Sequence, residues 1–333
     1  MARYLQDQNK VAMLQESGTY ANSSGTGVWV GEVTEHSIED EEGKIEDRFL
    51  GTASRSFGDY AQGPRDVTGT LTLNTQNFRI PFWAIGSNVD AASGTNVLHT
   101  ATQINTDVRQ SAFTSGALNP PISFTLEDSK QATGTGRNFV RTVNGCVPNS
   151  TTISVAQGEK VKTEVGYIGQ TLTVSSGATT SITQDTVKPY LWSAASLTLG
   201  GSSITTSKDI NLEINQNLKA PHYLDGSRDI SVPFPQNRDH VLSVTVDFDS
   251  NDAMMLYDYY KDNTEFNGVF DLDQDSTTGS QHAVFTMSGC VMMKPEVPST
   301  AEGVTEVTLE IKPKNISAAE WTSSTSAVTF NPF

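Results

Sequence analysis

The acids of Asp271-Leu272-Asp273-Gln274-Asp275 alternate, so their carboxylates could converge on a hard cation. A helix-loop-helix calcium loop also needs glycine at its sixth position and glutamate at its twelfth, where this chain has Ser276 and His282. The run therefore reads as a solvated strand end and turn. Gly134-Thr135-Gly136-Arg137 is a glycine-rich turn, but no Lys-Ser/Thr follows, so it is not a phosphate loop. No Gly-x-Ser-x-Gly elbow sits on a strand–helix turn. His36, His99, His222, His240 and His282 form no His-x-x-x-His pair and read as surface or edge residues. Two cysteines in 333 residues exclude a disulfide scaffold and a Cys-rich zinc site. The expectation is therefore no enzyme, no metal and no cofactor. Glu39-Asp40-Glu41-Glu42, ending at Gly43, reads as a solvated hairpin tip, or alternatively as an acidic contact to a neighbouring subunit.

Composition narrows the class. There are 38 Asp+Glu against 22 Lys+Arg, and 22 − 38 gives a formal charge of −16. That balance argues against a tight, nonspecific grip on nucleic acid, which needs a basic surface. Hydrophobic content of 36% and charged content of 18% fit neither a disordered polyanion nor a membrane protein. No run approaches the ~18 apolar residues of a membrane span. Met1-Ala2-Arg3-Tyr4-Leu5-Gln6 lacks an apolar core, so no secretory signal is expected. At ~150 residues per domain the length suggests two domains.

The texture is that of strands. Val67–Leu73, Val161–Val165 and Ser243–Phe248 alternate apolar with polar residues, as strands with one buried and one wet face do. The spacing predicts one helix over 250–262, with Met254, Tyr257 and Lys261 on one face, and a shorter one over 75–80 ended by Pro81. Ser87–Pro121 and Ser175–Thr186 read as long loops. The first ~25 residues read as an arm.

A repeat organises the chain. At an offset of 173, Arg55 falls on Arg228 and Arg65-Asp66 on Arg238-Asp239. The same shift carries Gly69, Leu71 and Leu73 onto Leu242, Val244 and Val246. Thr70, Thr72 and Asn74 fall on Ser243, Thr245 and Asp247, so both faces of the strand match. Ile122–Leu126 resembles Gly268–Leu272. At an offset of 144, Thr142–Val147 falls on Thr286–Val291, and Val165 and Tyr167 on Leu309 and Ile311. Cys146 and Cys290 are then equivalent, each a small apolar residue of its own core, and too far apart for a disulfide. The repeat divides the chain into an arm (1–28), a first β domain (29–174), a linker (175–188) and a second β domain (189–333). Trp192, at the restart, is expected to pack in the core.

Several segments together resemble the tail tube proteins of long-tailed bacterial and archaeal viruses. They are Gln15-Glu16-Ser17-Gly18-Thr19-Tyr20, the strand region up to Arg55, Val161–Tyr167, Tyr190-Leu191-Trp192 and Leu212–Leu218. The resemblance implies an all-β fold of two tandem β-sandwich or half-barrel domains, each with a short flanking helix. It implies homotrimeric, pseudo-hexameric rings stacked into a virion tail tube that passes double-stranded DNA without binding it. The partners it implies are copies of the chain and the tape measure, tail terminator and distal tail proteins. Assembly in the host cytoplasm follows, with no membrane partner.

On that reading the candidate lumen-facing residues are Thr68, Thr70, Thr72, Asn74, Ser243, Thr245 and Asp247. Lys160, Lys162, Glu164, Glu306, Thr308 and Glu310 are possible additions. Glu39, Asp40, Glu41 and Glu42 are the candidate inter-subunit acids. The rival class is a virion decoration or carbohydrate-binding adhesion sandwich, which needs aromatics converging on a groove. Trp29, Trp83, Trp192 and Trp321 are dispersed.

Overall fold

The computed structural model describes residues 4–16, 20–47, 59–93, 96–103, 122–132, 138–184, 187–247, 252–274, 281–293, 295 and 306–323. The fold is all-β, with two short α-helices among the described residues. The first half contributes β1 (Tyr4–Glu16), β2 (Ser23–Val28), β3 (Glu32–Asp47), β4 (Asp59–Asn74) and α1 (Arg79–Ile85). It continues with β5 (Gly86–Ser93), β6 (Asn96–Gln103), β7 (Phe124–Ala132), β8 (Phe139–Ala156), β9 (Lys162–Gly169) and β10 (Thr171–Ser175). The second half contributes β11 (Ala195–Leu199), β12 (Ser202–Ser203), β13 (Ser207–Asn215), β14 (Leu218–Lys219), β15 (Phe234–Pro235) and β16 (Asp239–Asp247). It ends with α2 (Asp252–Lys261), β17 (Phe266–Asp273), β18 (His282–Met292), β19 (Glu306–Lys312) and β20 (Asn315–Ser323).

Three antiparallel sheets account for nearly all the strands. One runs β2-β1-β7-β8-β10. A second runs β12-β11-β17-β18-β20-β6-β5. Between them a middle sheet runs β3-β4-β9-β8-β13-β16-β19-β18. Strands β8 and β18 therefore each serve two sheets. The switch falls at the same place in both. β8 pairs Cys146 with Phe124 of β7, then Val147 with Ile168 of β9. β18 pairs Cys290 with Phe266 of β17, then Val291 with Lys312 of β19. The preceding glycines, Gly145 (φ 68°) and Gly289 (φ 61°), take the left-handed conformation that bends the strand from one sheet into the other. Buried Glu16 holds the first bend. Its carboxylate accepts the Gly145 N–H at 2.8 Å, the Thr125 hydroxyl at 2.9 Å and the Ala21 N–H at 2.8 Å.

Two apolar clusters fill the fold. One holds Met13, Leu71, Phe124, Cys146, Val165 and Tyr167. The other holds Val244, Phe270, Phe285, Cys290 and Leu309, together with Ile153 and Val155 from β8. Both cysteines are free and buried, one in each cluster.

The register corrects one repeat match. Phe124 and Leu126 lie opposite Cys146 and Val143, and Phe266 and Gly268 lie opposite Cys290 and Met287. Ile122–Leu126 therefore corresponds to residues four positions earlier than Gly268–Leu272. A Phe-x-Leu alternation looks alike at every step of two, so it cannot fix register by itself. The N-terminal arm is instead strand, paired along β7, with Met13 buried. Ser87–Pro121 is only partly a loop. Strands β5 and β6 pair as a hairpin, which extends the second-half sheet through Ala101 opposite Ala318. Residues 104–121 lie outside the described residues.

Pro81 does not end a helix; it sits at the third position of α1. A first-turn residue has no intrahelical N–H bond to lose, so proline fits there. The helix is seven residues long and buried on every side, with Ile80 and Trp83 in the first cluster and Phe82, Ala84 and Ile85 in the second. Helix α2 forms as expected but turns Leu256 inward rather than Tyr257 or Lys261. Tyr190, not Trp192, is the buried aromatic of the restart. His99 and His240 are interior residues. His99 bonds Asp90 and Thr322 at 2.7 Å each.

Glu320 ties these parts together. The Phe78 N–H donates to its carboxyl at 2.9 Å and the Tyr190 hydroxyl at 2.8 Å. Burial pushes the Glu320 carboxyl up from 4.5 to about 8. The folded state thus favours the protonated acid, and stability from this group falls as pH rises from about 4.5 to about 8. Glu320→Gln is expected to melt with the native chain at pH 5 and several degrees above it at pH 9, measured by circular dichroism. At the bends, Gly289→Ala is expected to cost about 1 kcal/mol. Gly145→Ala should cost about 2–4 kcal/mol, since left-handed strain is joined by overpacking against rigid neighbours. A Cβ on Gly145 would meet the Tyr20 ring at 2.8 Å, whereas on Gly289 it would meet only the flexible end of Lys314 at 3.0 Å. Urea midpoints give both values.

Candidate functional site

Period-2 alternation sends one face of the middle sheet into the two clusters and leaves the other open. Leu71, Leu73, Val165, Ile153, Leu212, Val244 and Leu309 are buried. Their neighbours along each strand are polar and face outward. Because β8 pairs β9 on one side and β13 on the other, this polar face crosses from one half to the other without a break. One row reads Glu35-Thr72-Glu164-Thr152-Glu213-Val241, strand by strand. The next reads Glu32-Asn74-Lys162-Ser154-Asn211-Ser243-Glu310. A third holds Asp209, Thr245 and Thr308.

Thr68, Thr70, Thr72, Asn74, Ser243, Thr245 and Asp247 thus lie on one face of one sheet. So do Lys162, Glu164, Glu306, Thr308 and Glu310. Sequence reasoning missed the strip that joins the two sets, Thr152 and Ser154 of β8 and Asp209, Asn211 and Glu213 of β13. The alternation of Leu212-Glu213-Ile214-Asn215 carries the signal.

The polar side chains are largely satisfied within the face. Ser37 and Thr70 share a hydroxyl–hydroxyl bond of 2.7 Å, and the Asn74 amide donates to Glu32 at 3.0 Å. The lysines are paired with acids. Lys160 meets Glu32 at 2.8 Å, Lys162 meets Glu159 at 2.5 Å, and Lys312 meets Asp239 at 3.3 Å. Lys208 bridges Asp247 at 2.8 Å and Glu306 at 2.5 Å, and these two hydrogen bonds hold its ammonium well above the ordinary lysine range. Glu35, Glu164, Asp209 and Glu213 add further negative charge. A phosphate backbone meets few cations here and several carboxylates, so contact is weakly repulsive rather than adhesive.

The acid cluster is not a hairpin tip. β3 continues to Asp47, and Gly43 lies at a register shift between Glu42 and Lys44. Gly43 faces Gly63 and Pro64 too closely for a side chain, so the strands pass one another there instead of turning. Asp40 accepts two hydrogen bonds from Arg65 at 2.7 and 2.8 Å, and these hold its carboxyl below the usual range. Glu42 lies 3.9 Å from Arg228 of the second half. Both are thus engaged within the chain, while Glu39 and Glu41 stay exposed.

β3 is the open end of this face. Among the described residues it pairs with β4 alone, His36 opposite Leu71. β13 holds the matching place in the second half, Ile210 opposite Val244, but its outer edge is filled by β8.

A family model for the phage tail tube protein matches residues 8–316. No curated protein matches the sequence. The charge of the face yields a direct expectation. The triple substitution Glu164→Lys, Glu213→Lys and Glu310→Lys should make the chain bind duplex DNA, and the native chain should show no binding in the same assay. Fluorescence anisotropy should show affinity falling steeply with salt, by a slope of roughly 0.9 per phosphate contacted.

Proposed function

The chain belongs to the phage tail tube protein family, a structural component of the virion tail, and on that premise we propose that three copies close into a ring. Rings stack into a tube through which double-stranded DNA passes. The β8–β13 junction is the observation that carries this reading. It joins two halves of matching register into one sheet, yet among the described residues it leaves the outer edge of β3, the counterpart of β13, bare. A long unpaired edge invites another strand, and ring closure removes it. The counterpart of β8 is β18, which lies at the opposite end of the same sheet. Most of the residues matching Ser150–Ala156 of β8 lie outside the described residues; on this reading they supply a donor end to the β3 edge of the next copy, and copies complete one another.

The matched bends at Gly145 and Gly289 support reading the halves as duplicated domains, over 29–174 and 189–333. The middle sheet has eight strand segments per chain, so three chains give 24. At ~4.8 Å spacing and ~40° tilt such a barrel is roughly 48 Å across its backbone, which leaves room for a duplex inside its side chains. The polar, net-acidic face would line that bore. Family membership gives a structural rather than catalytic role, in contact with itself and other tail proteins. The tape measure, terminator and distal tail proteins, and assembly in the host cytoplasm, are part of the proposal.

Native mass spectrometry should find an assembly of three 35.9 kDa chains, and negative-stain microscopy should show rings or stacked cylinders. A strict monomer that binds a glycan would overturn the reading in favour of an adhesion module.

A further inference from the structure

The two helices follow matching strands, β4 and β16, but only one is covered on both sides. Trp83 of α1 and Leu256 of α2 correspond at the repeat's offset of 173, and each is buried in the cluster of its own half. On its far side α1 crosses to the other half. The Phe78 and Phe82 rings lie 5.2 and 6.0 Å from Phe285 of β18, both edge-on. Ala84, the counterpart of Tyr257, joins that same cluster. Among the described residues, nothing covers α2 on the corresponding side. Tyr257 is 45% exposed and Tyr260 38%, with their rings 6.2 Å apart.

The surface that α1 covers in the second half has a counterpart in the first. At the offset of 144, Ala283 corresponds to Phe139, Phe285 to Arg141 and Ala318 to Val174. Ala283 and Ala318 are buried, whereas Phe139 is 37% exposed and Val174 58%. Arg141 is paired with Asp128 on the neighbouring strand β7. Exposed apolar residues around an arginine form a patch suited to aromatic side chains that keep their hydroxyls in water.

We infer that α2 of one chain docks on this patch of the next chain, placing Tyr257 and Tyr260 against Phe139, Arg141 and Val174. The partner is a second copy of this chain, because among the described residues the surface that receives the equivalent helix is the equivalent half. The inference rests on the ring reading above and adds a second contact layer outside the joined strands.

Two variants test it. Tyr257→Ser with Tyr260→Ser removes the helix side, and Phe139→Asp with Val174→Asp removes the patch side. All four residues are exposed, so each variant should melt with the monomeric native chain. Each should need at least tenfold more protein than the native chain to form rings, measured by native mass spectrometry and microscopy. An equimolar mixture keeps one intact junction, between the helix of the second variant and the patch of the first, and should give two-chain species without closed rings. Rings that form at native concentrations in both variants would overturn the docking and leave the ring reading standing. A native chain that forms no ring at all overturns both.

Discussion

A β-strand with a bare edge is an unfinished structure, and this constraint organises the molecule. Each edge exposes backbone donors and acceptors that must find partners or be shielded. The first-half and second-half sheets meet it internally, by a β2 strand, a β12 strand and the β5–β6 hairpin laid along β20. The middle sheet meets it by borrowing. β8 is eighteen residues long and serves two sheets, because one left-handed glycine lets it change direction without losing its pairing. Its far half then becomes the strand that β13 lacks. The continuity of the polar face, and with it the proposed bore, follows from that one shared strand.

The face works by subtraction. Alternation alone guarantees a polar surface, but not one indifferent to DNA. That comes from lysines held against acids and from hydroxyls that bond across strands, leaving few free donors aimed outward. Pairing of exposed charges adds little stability. In the proposed tube it would silence cations that could otherwise slow a passing polyanion.

Much of this was legible in the residues. The alternation at 67–73 and 243–248 gave strand, face and burial together, because a half-buried strand writes both its sides into the sequence. The Gly-Cys pairs matched the two halves in the sequence, but the left-handed bend at each glycine became visible only in the fold. The rest depended on tertiary context. Glu39–Glu42 looked like a tip because charge runs usually end strands, yet β3 runs on through a bulge shaped by Gly43 and Gly63. His99 and His240 looked like surface residues because nothing local distinguishes a histidine buried beside Asp90 from one in water. The start of Ser87–Pro121 looked like a loop because the hairpin there is anchored through β6 to β20, more than two hundred residues away. The strip at 152–154 and 209–213 was missed for the same reason: a seam is a relation between halves that neither half's pattern contains.

The hairpin also makes the two kinds of junction unequal. Within a chain, β5 leaves α1 directly and pairs with β6, which pairs with β20, so helix, hairpin and seam are fastened as one unit. Glu320, on the same strand, adds hydrogen bonds to both Phe78 and Tyr190. Nothing comparable follows α2, which reaches β17 at Phe266 after only a few residues. Junctions between chains would then rest on strand pairing and on a tyrosine-bearing helix face, without the hairpin clamp. Such a difference suits a subunit that must remain folded and separate before assembly. The internal seam is buried, with Phe78 and Phe82 packed edge-on against Phe285. The proposed external one would be built from residues, Tyr257, Tyr260 and Arg141, that tolerate water until a neighbour arrives.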